Sequence, residues 1–180
     1  MSLSLRPFTK REIPALKAWF HNQEEVLLWA GAGLQYPIRD SDLKDLIKAH
    51  RGAAPVHEIW TIIDAESATI GHLQIWYSQR LRQATIGRLA IAPKHRGQGL
   101  ALPLVKSAID KAFSRPEINR IELRVYDHNT AAIAAYNRAG FVLEGTRRQS
   151  TPIGDMFWST NIMSILRDEY VGFDKRTEGE

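Results

Sequence analysis

Arg96-Gly97-Gln98-Gly99-Leu100-Ala101 is the stretch on which the fold turns. It follows an apolar run, Ile86 to Ala92, that reads as a strand. It opens an amphipathic run, Leu100 to Phe113, that reads as a helix. A glycine-bearing turn between strand and helix is a phosphate cradle, because the first N–H groups of a helix lack partners and its dipole favours an anion. Gly97 and Gly99 let the backbone approach such a ligand with no Cβ in the way. Arg96 adds a fixed charge and a fork of donors. Residues Arg96, Gly97, Gln98, Gly99, Leu100 and Ala101 therefore point to a ligand that carries phosphates. Neither the P-loop pattern nor the dinucleotide fingerprint is present.

A second block follows in the order Val125, Asn129, Ala132, Tyr136, Gly140, Phe141. Together the two blocks resemble the acyl-CoA-binding core of the GNAT N-acetyltransferases, whose pattern is [QR]-x-x-G-x-[GA], then a strand, N-x-x-A-x-x-x-Y and G-F. Three further features resemble the branch that acetylates ribosomal-protein N-termini, which also contains enzymes for small amines. They are Leu5-Arg6-Pro7-Phe8, Glu144-Gly145 and Ser164-Ile165-Leu166-Arg167. The resemblance implies acetyl-CoA as co-substrate, no metal, and an amine acceptor. The leading acceptor is a protein or peptide N-terminal amine. The alternatives are a small amine (polyamine, amino acid or aminoglycoside) or a non-catalytic acyl-CoA-binding module. It also allows a homodimer, with no interface readable in the sequence.

The fold class implied is α/β of the α+β type. A mixed, mostly antiparallel sheet of about six to seven strands is flanked by helices, with its central strands splayed apart. The reading along the chain agrees. Leu3, Leu5 and Phe8 suggest a first strand. Thr9-Lys10-Arg11-Glu12 looks like a capping box opening a helix to about Asn22. Glu24 to Trp29 reads as a second helix, and Asp40 or Ser41 caps a third. Arg51 to Pro55 reads as a loop. Strands then cover Glu58–Ile63, Thr69–Tyr77, Gln83–Ala92 and Ile121–Val125. Asn129 caps a helix that Gly140 ends, with Phe141 placed for the closing hydrophobic contact. Phe141–Gly145 and Met156–Leu166 read as a final hairpin across a loop holding Pro152 and Gly154. One domain is expected over residues 1–170, with a polar tail over 171–180.

Composition narrows the chemistry. The 180 residues include no cysteine, which removes disulfides, thiolate catalysis and cysteine-ligated metal. Histidine spacing fits no metal site, and there is no G-x-S-x-G elbow for a serine triad. No apolar stretch reaches a membrane span and no signal-peptide pattern opens the chain, so a cytoplasmic protein without a membrane partner is expected. Between residues 80 and 120 nine basic residues (Arg80, Arg82, Arg88, Lys94, Arg96, Lys106, Lys111, Arg115, Arg120) face only Asp110 and Glu117. That suits a phosphate ligand. No dense basic run or basic–aromatic interleaving supports nucleic acid, and none is expected as a partner.

By resemblance, backbone groups of Leu89, Ala90 and Ile91 pair with the pantetheine arm, and one N–H polarises the thioester carbonyl. Asn129 contacts the same arm. Tyr136 is the group at the departing sulfur. A phenol near pKa ~10 protonating a thiolate near ~8.5 is uphill by roughly 2 kcal/mol, so a lowered pKa or a strong hydrogen bond is required. Many relatives carry a glutamate base on the strand before the phosphate turn. Here Ile86-Gly87-Arg88-Leu89-Ala90-Ile91 has none, and Arg88 is its only charge. Glu122, Asp127, His128 and His72 are the candidates for a base, each more often structural. An α-amine near pKa ~8 is already about a tenth neutral at pH 7, so the base is not indispensable. Trp29, Tyr36 and Trp76 are candidates for acceptor walls. Glu24, Glu25 and Asp155 are candidates to face a cationic amine.

Overall fold

The computed structural model describes residues 3–49 and 56–170; the loop read at Arg51 to Pro55 and the tail 171–180 lie outside them. Among the described residues, seven strands form one sheet in the order β1-β2-β3-β4-β5-β7-β6. They are β1 (Ser4–Pro7), β2 (His57–Ile63), β3 (Thr69–Ser78), β4 (Gln83–Ile91), β5 (Arg120–Tyr126), β6 (Val142–Ile153) and β7 (Met156–Leu166). Every neighbouring pair is antiparallel except β4–β5. Helices α1 (Ile13–Lys17), α2 (Gln23–Ala30) and α3 (Asp40–Ala49) precede β2, while α4 (Ala101–Phe113) and α5 (Thr130–Arg138) flank β5 in sequence.

The sheet separates two cores. One packs Leu104, Val105, Ala108, Ile109 and Phe113 of α4 on Leu73, Ile75, Ile86 and Ile121. The other packs Ile13, Leu16, Trp19, Val26, Trp29 and Leu43 on Ile59, Ala90 and Ala92. Gly71 lets α4 seat closely, because a Cβ there would lie 2.6 Å from the Ala90 carbonyl oxygen and 2.9 Å from Leu104 Cδ2.

Local signals set several boundaries. Thr9 and Glu12 form the expected capping box, but it opens a 3-10 turn (Lys10–Glu12) and the short α1, not a helix to Asn22. Asn22 instead caps α2: its Oδ1 accepts the Glu25 N–H at 2.9 Å, which commits the chain to a new helix. Gly140, at φ +100°, closes α5, and the Phe141 N–H donates back to the Tyr136 carbonyl at 3.0 Å. β6 runs much further than Gly145 and takes in Pro152, which pairs with Phe157; the turn is Gly154-Asp155. β6 is an edge strand, where the missing proline N–H costs no ladder bond.

β4 carries the feature that shapes the site. Its register against β3 shifts between His72 and Gln74, so Arg88 and Leu89 together oppose Leu73. Arg88 takes φ +48°, a rare conformation for a bulky residue, and its carbonyl accepts the Trp29 indole N–H at 2.7 Å. This is a β-bulge, and it flips the strand's faces. Before it, Ala84 and Ile86 point into the α4 core; after it, Ala90 and Ala92 point into the α1–α3 core.

Candidate active site

β4 and β5 pair only at Gln83–Arg120, Ala84–Ile121 and Thr85–Glu122. Beyond Thr85 they part, leaving Ile86 to Ile91 without a partner on the β5 side. A cavity of about 950 Å³ opens in the gap. β4 supplies Thr85 to Ile91, β5 supplies Arg124 to Tyr126, and α4 contributes Ala101 and Val105. The far walls are Glu25 and Leu27 to Ala32 on the α2 side and Arg147, Ser150, Thr151 and Thr160 from the β6–β7 hairpin.

Among the expected ligand residues, Leu89, Ala90, Ile91, Arg96, Ala101, Asn129 and Tyr136 all line this one cavity. Gly97, Gln98 and Gly99 form the turn between two of them, Arg96 and Ala101. Gly97 and Gly99 sit at φ +72° and +73°, the left-handed region that explains both glycines. Leu100 is buried in the α4 core. No side chain caps the N-terminus of α4, so its first amides have no side-chain partner. That distinguishes it from α2 and α5, which Asn22 and Asn129 cap. The Arg96 side chain is folded back: Nε donates to the Ile91 carbonyl at 3.1 Å and Nη2 to the Trp19 carbonyl at 3.4 Å. It braces the end of β4 as well as standing beside the turn.

Asn129 accepts the Ala132 N–H on its Oδ1 at 3.3 Å. Its Nδ2 has no hydrogen-bond partner among the described residues, and the residue lines the cavity. The Tyr136 hydroxyl has no such partner either. The ring is fixed by an edge-on contact with Phe141, centroids 5.8 Å apart. Burial pushes the Tyr136 pKa up to about 12, so the phenol keeps its proton and stays a donor.

None of the four residues weighed as a base lines the cavity. Glu122 is held by Arg120 at 3.3 Å and Arg124 at 3.6 Å. Asp127 lies 3.5 Å from His128, whose ring packs on Trp158. His72 is 1% exposed, wedged between Phe8 and Trp29. Burial, with the Arg88 and His57 charges, holds its pKa down to about 3. A histidine depressed in the folded state contributes stability that is complete above its ordinary value of 6.5 and is lost as pH falls toward 3. The urea midpoint is therefore expected to fall between about pH 7 and about pH 4, and His72→Gln should flatten that slope whatever it does to stability at neutral pH. Of the acceptor candidates, Glu25, Trp29 and Trp76 line the cavity, while Glu24, Tyr36 and Asp155 do not. Sequence reasoning missed Arg124, Arg147, Ser150, Thr151 and Thr160, which carry no local signal. It noted Arg88 only as an odd charge on a strand.

The profile described as an acetyltransferase (GNAT) domain matches residues 2–142. The chain belongs to the GNAT acetyltransferase family. It is an acyltransferase, and acetyl-CoA is the co-substrate of such enzymes. A spermidine N(1)-acetyltransferase of Vibrio cholerae is 28% identical over 174 residues, covering 94% of this chain and 95% of that one. An aminoglycoside N(6')-acetyltransferase type 1 of Klebsiella pneumoniae is 25% identical over 166 residues, 85% of this chain and 79% of that one. A crystal structure of the Vibrio cholerae spermidine N-acetyltransferase in complex with CoA and spermine superposes with a TM-score of 0.80. It is 25% identical and covers 93% of this chain and 97% of that chain.

These relatives correct the expected likeness to the ribosomal-protein branch. The short motifs behind it serve the scaffold of this acetyltransferase. Leu5-Arg6-Pro7 forms most of the edge strand β1. Glu144 bonds Arg120 and Ser164 across β7. Arg167 donates to the carbonyls of Phe113, Arg115 and Ile118. None of them lines the cavity.

Proposed function

We propose that this acetyltransferase transfers the acetyl group of acetyl-CoA to a small-molecule primary amine, by direct attack in a ternary complex. The observation that carries the reading is the near full-length likeness to enzymes named for small amines. The cavity agrees with it: its acceptor end is walled on one side by α2 and on the other by the β6–β7 hairpin.

In this reading the pyrophosphate rests on the Gly97–Gly99 turn and the free amides of α4. The pantetheine arm lies along Leu89, Ala90 and Ile91 as an added strand in the splay, with Asn129 Nδ2 donating to it. The amine attacks the thioester carbonyl, a β4 amide receives the developing oxyanion, and the C–S bond breaks toward Tyr136. Two protons leave the amine nitrogen in the course of reaction, if it arrives charged. One is lost to solvent before attack, and the second leaves with the thiol or the medium.

Gly99→Ala tests the cradle. The protein itself has room for the methyl, since nothing lies within 4 Å of where a Cβ on Gly99 would stand. The left-handed φ costs roughly 1–2 kcal/mol, and in the proposed cradle the methyl would crowd the pyrophosphate. The KM for acetyl-CoA is expected to rise about tenfold or more with a melting temperature lowered by only a few degrees. Unchanged saturation by acetyl-CoA would remove the turn from the binding site.

The reading as a whole is tested by thiol release from acetyl-CoA with diamines, aminoglycosides, amino acids and short peptides as acceptors. Turnover with one of the small amines supports it. Turnover confined to peptides overturns it.

A further inference from the structure

The acceptor end of the cavity has the wrong charge for a polycation. Among the described residues, Glu25 is the one carboxylate in its lining, and Glu25 Oε2 already accepts the His21 N–H at 2.8 Å. Against it stand Arg88, Arg124 and Arg147, with Arg96 at the phosphate turn. Arg124 reaches Glu122 at 3.6 Å, so part of its charge is answered.

Arg88 is different. Its guanidinium meets only neutral groups among the described residues. Nη1 donates to Gln74 Oε1 at 3.3 Å, and the head stands 5.8 Å from the Trp76 ring centroid. No carboxylate of the described residues lies within ion-pair reach. Burial alone pushes its pKa down from the ordinary guanidinium value, and it remains a cation. A desolvated charge without a counter-ion is costly, and beside a cavity it marks a candidate functional site.

The backbone explains how it comes to face the cavity. In an unbroken β4, Arg88 would share the face of Ala84 and Ile86 and enter the apolar core beneath α4. Gly87 faces the Trp76 side by ordinary alternation, and the bulge brings Arg88 to that same side. A Cβ on Gly87 would lie 2.9 Å from the Trp76 ring, so the glycine clears the space. Trp29 locks the arrangement through the Arg88 carbonyl. Positive φ at an arginine, pinned from two other elements, is strain kept at a functional place.

We infer that the acceptor is a primary amine that also carries a carboxylate, and that Arg88 is the residue that receives that carboxylate. The inference rests on the small-amine reading above and narrows it to amino acids in the broad chemical sense. The planar fork keeps donors free after the bond to Gln74, enough for a two-point contact with a carboxylate. A polyamine would bring further positive charge toward an unanswered guanidinium. The same charge favours the neutral form of a nearby amine, which is the nucleophile, and so eases the need for the base that β4 lacks.

The test compares amino acids with their own carboxamides, and with diamines, in thiol release from acetyl-CoA. The wild-type enzyme should prefer the acid over the amide by about tenfold to a hundredfold in kcat/KM, the range of a charge-assisted hydrogen bond. Arg88→Gln should bring the two within about threefold of each other by lowering the acid, with acetyl-CoA affinity kept as proof of folding. If Arg88→Gln does not fold, Arg88→Lys keeps the charge without the fork and should still reduce the ratio. An acid-to-amide ratio near one in the wild type, or one that Arg88→Gln leaves unchanged, overturns the inference. Preference for diamines or aminoglycosides over acids also overturns it while leaving the small-amine reading intact. Turnover of peptides alone removes both.

Discussion

Tyr136→Phe lowers kcat by about a hundredfold or more, while the KM for acetyl-CoA stays within about threefold. The ring is held by Phe141 and the α5 backbone, neither of which needs the hydroxyl, so the variant keeps its shape. Tyr136 lines the cavity, and its hydroxyl has no hydrogen-bond partner among the described residues. Its pKa of about 12 decides its role. Against a thiol near ~8.5, a proton handed over completely would be uphill by roughly 5 kcal/mol. In the mechanism proposed above, the phenol is then a hydrogen-bond donor to the departing sulfur, and the thiolate takes its proton from solvent. The sign for pH follows. A raised pKa keeps the donor intact throughout the physiological range, so Tyr136 adds no titration to the rate below about pH 11. The kcat–pH profiles of wild type and Tyr136→Phe should differ in height and not in shape. A limb near neutrality that disappears in the variant would show that the tyrosine titrates there, against this account. An unchanged kcat would place another group at the sulfur.

Arg115→Ala destabilises the fold by about 3 kcal/mol, which for a chain of this size is a melting temperature lower by roughly 9 °C. Glu58 on β2 is 5% exposed. It accepts from Arg115 Nη2 at 2.7 Å, Trp60 Nε1 at 3.0 Å and Tyr77 Oη at 3.3 Å, with Lys111 Nζ at 3.8 Å. The Arg115 head also stacks over the Tyr77 ring at 3.5 Å. Removing it strands a buried carboxylate with a more distant lysine as its remaining cation in this set. The pair need not be stabilising in itself, because both ions were taken out of water. Glu58→Leu with Arg115→Met should thus recover much of the loss. Urea denaturation of the single and double variants separates these terms. A double variant as weak as Arg115→Ala would mean that the packing of the arginine, not the stranded charge, carries the effect.

Part of this molecule is legible in short stretches of sequence. Gly97 and Gly99 announce left-handed turns because other residues resist that conformation. Asn129 and Gly140 bracket α5 because a cap and a stop are chemical necessities of any helix. The capping box at Thr9 and Glu12 forms as read. The spacing of Leu104, Ala108 and Ile109 states which face of α4 is buried. Where the reading failed, a competing local cap or a distant element had intervened. Asn22 became the cap of α2 instead of the end of α1. Pro152 entered a strand because that strand lies at the edge of the sheet. Motifs that looked like a ribosomal-protein signature turned out to hold Arg120, Glu144, Ser164 and Arg167 in the scaffold.

The sequence by itself determined the family, the fold class and the place of the glycine turn before α4, because motif spacing, hydrophobic periodicity and caps are written in short stretches. Only the tertiary structure decided what lines the cavity. The splay of β4 from β5 depends on where their pairing stops. The face that Arg88 takes depends on a register shift against β3 and on a hydrogen bond from Trp29, far away in the chain. A strand's side chains alternate with period two, so one extra residue sends the same arginine either into an apolar core or into the cavity. That choice is made by partners the local sequence does not contain.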